Sequence, residues 1–472
     1  MNSALVIAID QGGHASRAFA FDVEGNEVAQ AFSPIQTTRQ GEDRVEHDPF
    51  EIVASIRLAL NELERKLGRD VERVVCAGLA TQRSSIACWD GVRGVPLAPV
   101  LSWQDRRNNA LIEQLGPHAA EIQRATGLML SPHYGASKMR WCLQHVEAVR
   151  SAASEGRLRM GPLASYLMRS LLLERPELAD PANASRTLLW NPATRDWSPE
   201  LLQLFDIPVA MLPTCVPSRN AFGSLPFATR TIPLQVCTGD QNAAVFANGA
   251  TTVGTAYLNV GTGAFLLATA ERDPSNAAPL LRSVLFSDQE QARYALEGTV
   301  NGAGSALDWY AENAHADAHA IARALAHVDA TADLPVFING VSGVGSPYWR
   351  PHQSSYFDGA GDERACVTAI LESIAFLIAE NFQLLRTHAP ALARVHATGG
   401  LVESDYLCEC VASLCNVSVH RSQQPEATAR GLAYLCAGMP GRWPKAETEL
   451  FAPKEHSYLQ ARHARWRELM DG

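Results

Sequence analysis

The chain has no Cys-x-x-Cys pair and no His/Cys cluster at zinc spacing; its ten cysteines are scattered over 472 residues. That excludes a zinc-ribbon or redox-motif reading and marks the cysteines as reduced thiols, as expected of a cytoplasmic protein. Basic residues are not in excess: 40 Lys and Arg stand against 50 Asp and Glu, a net charge of −10. This balance argues against nucleic acid as a partner, while a small anionic ligand needs only local positive groups. The N-terminus has no basic leader, no long apolar segment and no cleavage site, and runs straight into an apolar strand at 5–9, so no membrane partner is expected. The Asn183-Ala184-Ser185 sequon therefore carries no weight. No Gly-x-x-x-x-Gly-Lys-Ser/Thr loop occurs, and no Gly-x-Gly-x-x-Gly opens a helix, which removes the P-loop and Rossmann routes to a nucleotide.

What is present is a pair of glycine hairpins half a chain apart. The first runs from Ile7 through Asp10-Gln11-Gly12-Gly13-His14-Ala15-Ser16-Arg17 to Asp22. The second runs from Tyr257 through Gly261-Thr262-Gly263 to Leu267. Each has period-2 apolar runs on both sides, the pattern of strand, turn, strand. Glycine lacks a Cβ and admits positive φ, so backbone N–H groups can crowd one concave spot that binds anions. Two such spots suggest two lobes closing on a polyphosphate. The length is too great for one compact core, and the apolar content of 47% lets each half bury its own.

The intervening segments alternate strand and helix. A helix is expected over 49–67, capped by Asp48, started by Pro49 and stopped by Gly68. A buried strand at 74–79 delivers Thr81-Gln82-Arg83, and a short one at 100–102 delivers Trp103-Gln104-Asp105-Arg106-Arg107. In the second half, a strand at 234–237 ends in Gly239-Asp240-Gln241. Strand 294–296 leads to Glu297-Gly298 and the turn Gly302-Ala303-Gly304. Strand 395–398 runs into Gly399-Gly400 and a helix from about 404 to 414. Polar groups at the carboxyl ends of strands are where α/β sheets place ligands. The second half repeats the opening scheme of the first, with a boundary at 230–250. This predicts an α/β protein of the two-domain actin/hexokinase-like (ribonuclease H-like) class, with domains 1–245 and 246–472 and the active site in the cleft between them.

At this level of detail the chain resembles the FGGY carbohydrate kinases, and within them the glycerol kinases. The resemblance rests on Asp10-Gln11-Gly12 with Ser16-Arg17-Ala18, Val45-Glu46-His47-Asp48-Pro49, Gln82-Arg83 and Asn183-Ala184-Ser185-Arg186-Thr187. It continues in Gly239-Asp240-Gln241, Gly261-Thr262-Gly263, Tyr294-Ala295-Leu296-Glu297-Gly298, Ser346-Pro347-Tyr348-Trp349, Leu371-Glu372-Ser373-Ile374-Ala375 and Gly399-Gly400. Each motif is weak alone; their order and spacing are strong. The resemblance implies ATP-dependent phosphorylation of a sugar or polyol hydroxyl, with Asp240 as the base that accepts the hydroxyl proton. It implies that Thr262 touches the terminal phosphates, that Gly12, Gly13, His14 and Arg17 cradle phosphate from the other lobe, and that Gly304, Gly400 and Ser404 lie along the nucleotide. Arg83 and Gln241 match ligands of substrate hydroxyls, and Trp103 offers an apolar wall to the carbon face of a sugar. Mg2+ is expected with the phosphates, near Asp10 and Asp240. Exposed helix faces leave room for a homodimer by analogy with the fold alone.

The departures are concentrated at the site. Glycerol kinases carry Glu directly after Gln-Arg, where this chain has Ser84, and Tyr after Asp-Pro, where Ser131-Pro132 leads to His133. The pattern therefore predicts that glycerol is a poor substrate and that a longer polyol or a ketose is preferred, glycerol kinase proper being the alternative. The two threonines and serine expected after Asp-Gln-Gly are Gly13, His14 and Ala15, with a ring N–H of His14 offered in exchange for three hydroxyls. At the adenine end, Asp308 and Ser404 replace Gln and Asn. The helix after His133 keeps Lys138 and Trp141 and has Gly135 where Ser, Thr or Pro is usual. Lost hydroxyl donors would also suit a catalytically weak homologue that binds sugar or nucleotide as a regulator; the retained Asp240 and Thr262 oppose that reading.

Overall fold

The computed structural model describes residues 3–41, 43–274, 277–315, 325, 334–423 and 426–471. Its first large sheet runs in the order Arg219–Phe227, Arg230–Gly239, Val74–Thr81, Leu5–Gln11, Ala15–Asp22, Glu27–Pro34. The second runs Leu281–Ser287, Ala292–Val300, Ala264–Ala270, Thr255–Val260, Arg394–Thr398, Ser418–Ser422, Thr448–Phe451. In each, the strand that opens the glycine hairpin pairs antiparallel with its return strand and parallel with a strand reached by a helical crossover. A second parallel strand and an antiparallel edge follow in both. The second sheet differs by one added strand, Leu281–Ser287, outside this scheme. The duplication implied by the hairpins is thus present in the central strands, while the antiparallel edge strand precedes its parallel neighbour in the first sheet (Arg219–Phe227 before Arg230–Gly239) and follows it in the second (Thr448–Phe451 after Ser418–Ser422).

Local chemistry explains why the crossovers are helices. In Pro49–Leu67 the Asp48 carboxylate accepts from the Phe50 amide, proline occupies the first turn, and Gly68 takes φ 55 at the end. Ile52, Ile56, Leu60, Leu63 and Leu67 fall on one buried face at helical spacing. The corresponding helix of the second lobe, Glu363–His388, is long and apolar enough to cross a membrane, but 83% of its apolar window is buried inside the protein. It is the core helix of that lobe, packed on Val336, Phe337 and Ile338.

A late helix, Ala427–Cys436, returns to the first lobe. Leu432, Ala433 and Leu435 join Val6, Ala8, Phe19, Phe21 and Cys76 in one cluster. Gly78 permits this approach, since a Cβ there would lie 2.5 Å from Cys436 Sγ. The same helix carries Arg430, whose guanidinium is buried and has no carboxylate partner among the described residues. It donates to the carbonyls of Ala247 (2.9 Å), Gly25 (3.1 Å) and Pro444, tying three separate segments together. Hydrogen bonds from a charged donor contribute about 1.5–3 kcal/mol each, less the cost of burial. Arg430→Met should therefore lower stability by roughly 2–3 kcal/mol, seen as a reduced Tm in calorimetry; an unchanged Tm would show that the three carbonyls find other donors.

A five-stranded sheet of short elements, Thr38–Gln40, Arg44–His47, Val100–Leu101, Ile86–Asp90 and Leu158–Pro162, stands beside the first large sheet. It receives the chain just after Arg83 and releases it just before Trp103. The helix Gly135–His145 contacts its Ile86–Asp90 strand.

Candidate functional site

Register brings the site together. Gln11 pairs with Thr81, and Thr81 with Gly239. Three neighbouring parallel strands therefore end at one level and release Gly12, Gln82-Arg83 and Asp240 side by side. In the second lobe Asn259 pairs with Thr398, so the Gly261-Thr262-Gly263 tip and Gly399-Gly400 also leave their strands together.

Asp240 begins the short helix Asp240–Ala244 and is half-buried. Its Oδ1 accepts from the Gln241 amide at 2.6 Å, and Arg83 Nε stands 4.0 Å away. Burial raises its carboxyl above the ordinary range against the pull of Arg83. Asp10, only 9% exposed, is pushed up to about 7 by burial and then by the charge of Asp240, with Arg17 opposing. The two carboxylates thus share one neighbourhood, although 230 positions separate them in the sequence.

Arg83 donates to Gln241 Oε1 and to Asn242 Oδ1 (3.1 Å) and lies 3.7 Å from Glu297. A Cβ at Gly239 would come within 2.5 Å of Arg83 Cδ, so the glycine lets the arginine lie flat over the strand end. Glu297 is 1% exposed and also accepts from Arg186 at 2.7 Å. Burial opposes its ionisation, but Arg186 and Arg83 outweigh it and hold the carboxyl below its usual range. Burial lowers Arg83 itself to about 10.

Ser84 has φ 63 and a buried hydroxyl with no hydrogen-bond partner. Its carbonyl accepts from Lys138 Nζ at 3.1 Å, and the same ammonium donates to the His133 carbonyl at 2.7 Å. Lys138 is 1% exposed, and burial brings its ammonium down to about 7. The His133 ring stands edge-on to Trp103 (5.6 Å between centroids) and to Tyr134 (5.0 Å). Burial, then Lys138, Arg186, Arg83 and Arg106, keep the imidazole well below its usual range, hence neutral. Trp103 is half-buried and anchored by its amide to Ser85 Oγ at 3.0 Å.

The hairpin tips differ from the expectation in one respect: none of Gly12, Gly13, Gly261 or Gly263 has a positive φ. The turns close without the left-handed region, and the tips still offer donors. The amides of Gly13, His14, Thr262 and Gly263 donate to no group among the described residues. His14 and Thr262 are exposed. Arg17 is engaged by Glu426 at 2.8 Å across the two halves of the chain. At Gly304 a Cβ would lie 2.8 Å from the Gly261 carbonyl, so this glycine lets the helix Gly304–Ala314 start against the second tip. Gly400 faces open space, whereas its neighbour Gly399, at φ 100, is pressed on Val260. Ser404 caps the helix Asp405–Cys415 by accepting from the Leu407 amide at 3.4 Å.

The structure therefore unites Asp10, Arg83, Asp240 and Gln241, links Ser84, Trp103 and His133 in an adjoining wall, and sets Thr262 beside Gly304 and Gly400 near Ser404. Sequence reasoning gave no role to Glu297, Arg186, Lys138 or Tyr134. A signal existed for two of them: Glu297 interrupts an apolar strand and Lys138 an otherwise buried helix face, and a charge there demands a partner.

The FGGY profiles match almost the whole chain: the N-terminal domain of the FGGY family of carbohydrate kinases over residues 5–247 and its C-terminal domain over 256–439. A glycerol kinase of Alkalilimnicola ehrlichii is 34% identical, over 98% of this chain and 97% of its own. Among solved structures, a Plasmodium falciparum glycerol kinase with ADP superposes with a TM-score of 0.86 at 23% identity, over 99% of this chain and 98% of that one. A xylulose kinase from Rhodospirillum rubrum gives 0.85 at 20% identity, with coverage of 99% and 98%.

Proposed function

The chain belongs to the FGGY family of carbohydrate kinases, ATP-dependent enzymes that phosphorylate a sugar or polyol, and on that premise we propose that Asp240 is its general base. The observation that carries this is the position of the Asp240 carboxylate: half-buried, released at the ends of three parallel strands, and 4.0 Å from the Arg83 guanidinium. A carboxylate so placed can take the proton of a substrate hydroxyl while the oxygen forms its bond to the γ-phosphorus and ADP leaves with the bridging oxygen. Arg83 and Gln241, bonded to each other, orient that hydroxyl. His133, held neutral, offers one donor and one acceptor, and Trp103 supplies the apolar wall. The free amides at the two hairpin tips, with Thr262, meet the phosphates, while Gly304, Gly400 and Ser404 line the nucleotide's path.

The donor set suits Mg2+. Asp10 and Asp240 are hard oxygen ligands, and the charge of Asp240 adds to burial in raising the Asp10 carboxyl, a conflict that a divalent cation would relieve. No cluster of three His, Cys, Asp or Glu side chains suited to a metal exists among the described residues. Two carboxylates with phosphate oxygens and water are what this cation commonly uses. When bound, it neutralises charge developing on the transferred phosphoryl group.

With Ser84 and His133 in the wall, the substrate is longer than glycerol. A panel of polyols and sugars assayed by coupled ADP release should give its best kcat/KM on a chain of four or more carbons. Glycerol winning by a wide margin would overturn this size assignment and make the protein a glycerol kinase proper.

A further inference from the structure

Behind the wall formed by Ser84, Trp103 and His133 lies a buried cation to which the reaction gives no role. Lys138 is 1% exposed, and among the described residues no carboxylate comes within ion-pair distance of its ammonium. Burying an ammonium without a counter-ion is costly, and the cost is offset only by what the group bonds. Three separate segments supply the wall, and Lys138 stands where they meet. Two of them it bonds directly, at the carbonyls of Ser84 (3.1 Å) and His133 (2.7 Å). The third carries Trp103, and two residues on lies the fully buried Asp105, the acid whose charge favours the ammonium. Asp105 is itself fixed, by Arg107 at 2.7 Å and by the Val45 amide at 2.8 Å. The Trp103 and His133 rings then meet edge-on.

The helix that carries the lysine is placed for this. Gly135 is its first residue, and a Cβ there would lie 2.9 Å from Ile86 Cγ2 and 3.3 Å from Thr187 Cα. The glycine lets the helix start close against the strand that follows Ser84, within reach of the long Lys138 side chain. Ser84 needs a hold of this kind. Its φ of 63 lies in the left-handed region, which a serine keeps only where its surroundings over-determine it. The Ser84 hydroxyl has no partner that could supply the hold; its carbonyl has Lys138.

We propose that Lys138 is a positioning residue that sets the shape of the substrate wall and, through it, the length of substrate the enzyme accepts. The inference rests on the reading of Ser84, Trp103 and His133 as that wall. Buried as it is, the ammonium acts through the two residues it holds: it fixes two main-chain oxygens, and with them the places of the Ser84 hydroxyl and the His133 ring. The reacting end is held by other groups. Arg83 is engaged by Gln241, Asn242 and Glu297, and Asp240 by the Gln241 amide. Loss of the lysine therefore weakens ground state and transition state alike, which raises KM and leaves kcat.

Lys138→Met tests this in the full-length enzyme, by coupled ADP release on polyols and ketoses of three to six carbons. Methionine keeps the length and apolar surface of the side chain and removes a buried charge, so the variant should fold with a Tm near that of the parent. KM for the best substrate should rise about tenfold or more, the size of one charge-assisted hydrogen bond. KM for ATP and kcat at saturation should stay within about twofold of the parent. The ratio of kcat/KM between the best substrate and the one a carbon shorter should shrink toward one. Lys138→Gln, with two N–H donors on a shorter side chain, should fall between the parent and the methionine variant. A substrate KM within about twofold of the parent, or a chain-length preference that survives the rise in KM, would overturn the proposal. So would a joint worsening of Tm, kcat and KM for ATP, or failure of both variants to fold, since either makes the lysine a support of the fold alone. His133→Ala and Ser84→Ala are measured alongside: substrate KM values unchanged in both would overturn the wall reading itself, whatever the lysine does.

Discussion

Asp240→Asn is expected to lower kcat by about 10²- to 10⁴-fold, the usual contribution of a positioned general base. KM for ATP and for the best substrate should stay close to that of the parent. The change is nearly isosteric. The amide oxygen can still accept from the Gln241 amide, now at 2.6 Å from Oδ1, so the start of the short helix is kept. Arg83 loses one distant partner at 4.0 Å but retains Gln241, Asn242 and Glu297. Stability should not fall. Asp10 is buried under the repulsion of Asp240, and removing that charge takes away a destabilising contact. Loss of activity without loss of Tm separates catalysis from folding. A kcat within tenfold of the parent would remove Asp240 from the role of base and favour a homologue that binds without turning over.

The fold was legible because its signals are local and repeated. The helix Pro49–Leu67 begins and ends where Asp48, Pro49 and Gly68 put it. Two hairpins of like pattern implied two like sheets, and the central strands of the two agree, the second sheet adding Leu281–Ser287. The return of Ala427–Cys436 to the first sheet was not legible, because an apolar helix face does not say which sheet it will cover. Nor was the lack of positive φ at the hairpin tips, since Gly-Gly and Gly-x-Gly permit that region without requiring it.

The candidate site divides along the same line. Asp240, Arg83 and Thr262 stand at strand ends inside short motifs, so a single stretch of sequence points to each. Glu297 is 111 positions from Arg186 and 214 from Arg83, and only the folded chain shows that one carboxylate serves both. Ser84 was legible as a departure, but not its left-handed backbone or its tie through Lys138 to His133. Those depend on a lysine buried by elements far apart in sequence.

Glu297→Gln is expected to cost about 3–5 kcal/mol of stability, the range for removing one member of a buried ion pair. The residue is 1% exposed, and both arginines that face it are almost as deeply enclosed, with side chains 8% and 4% exposed. The glutamine keeps the shape and one acceptor, so the loss reports charge rather than packing. Arg186 and Arg83 would then face each other across a site with no buried counter-charge. Arg83 should move toward Asp240, the remaining acid, and KM for the phosphorylated substrate should rise while KM for ATP holds. Arg186→Met in the same protein removes one of the two stranded cations. The double variant should be more stable than the sum of the single losses predicts, by about 1–3 kcal/mol. Additive losses in that cycle, or a Glu297→Gln protein as stable as the parent, would show that water or a rearranged side chain already balances the arginines. The carboxylate would then be a bystander to the geometry that holds Arg83 over Gly239.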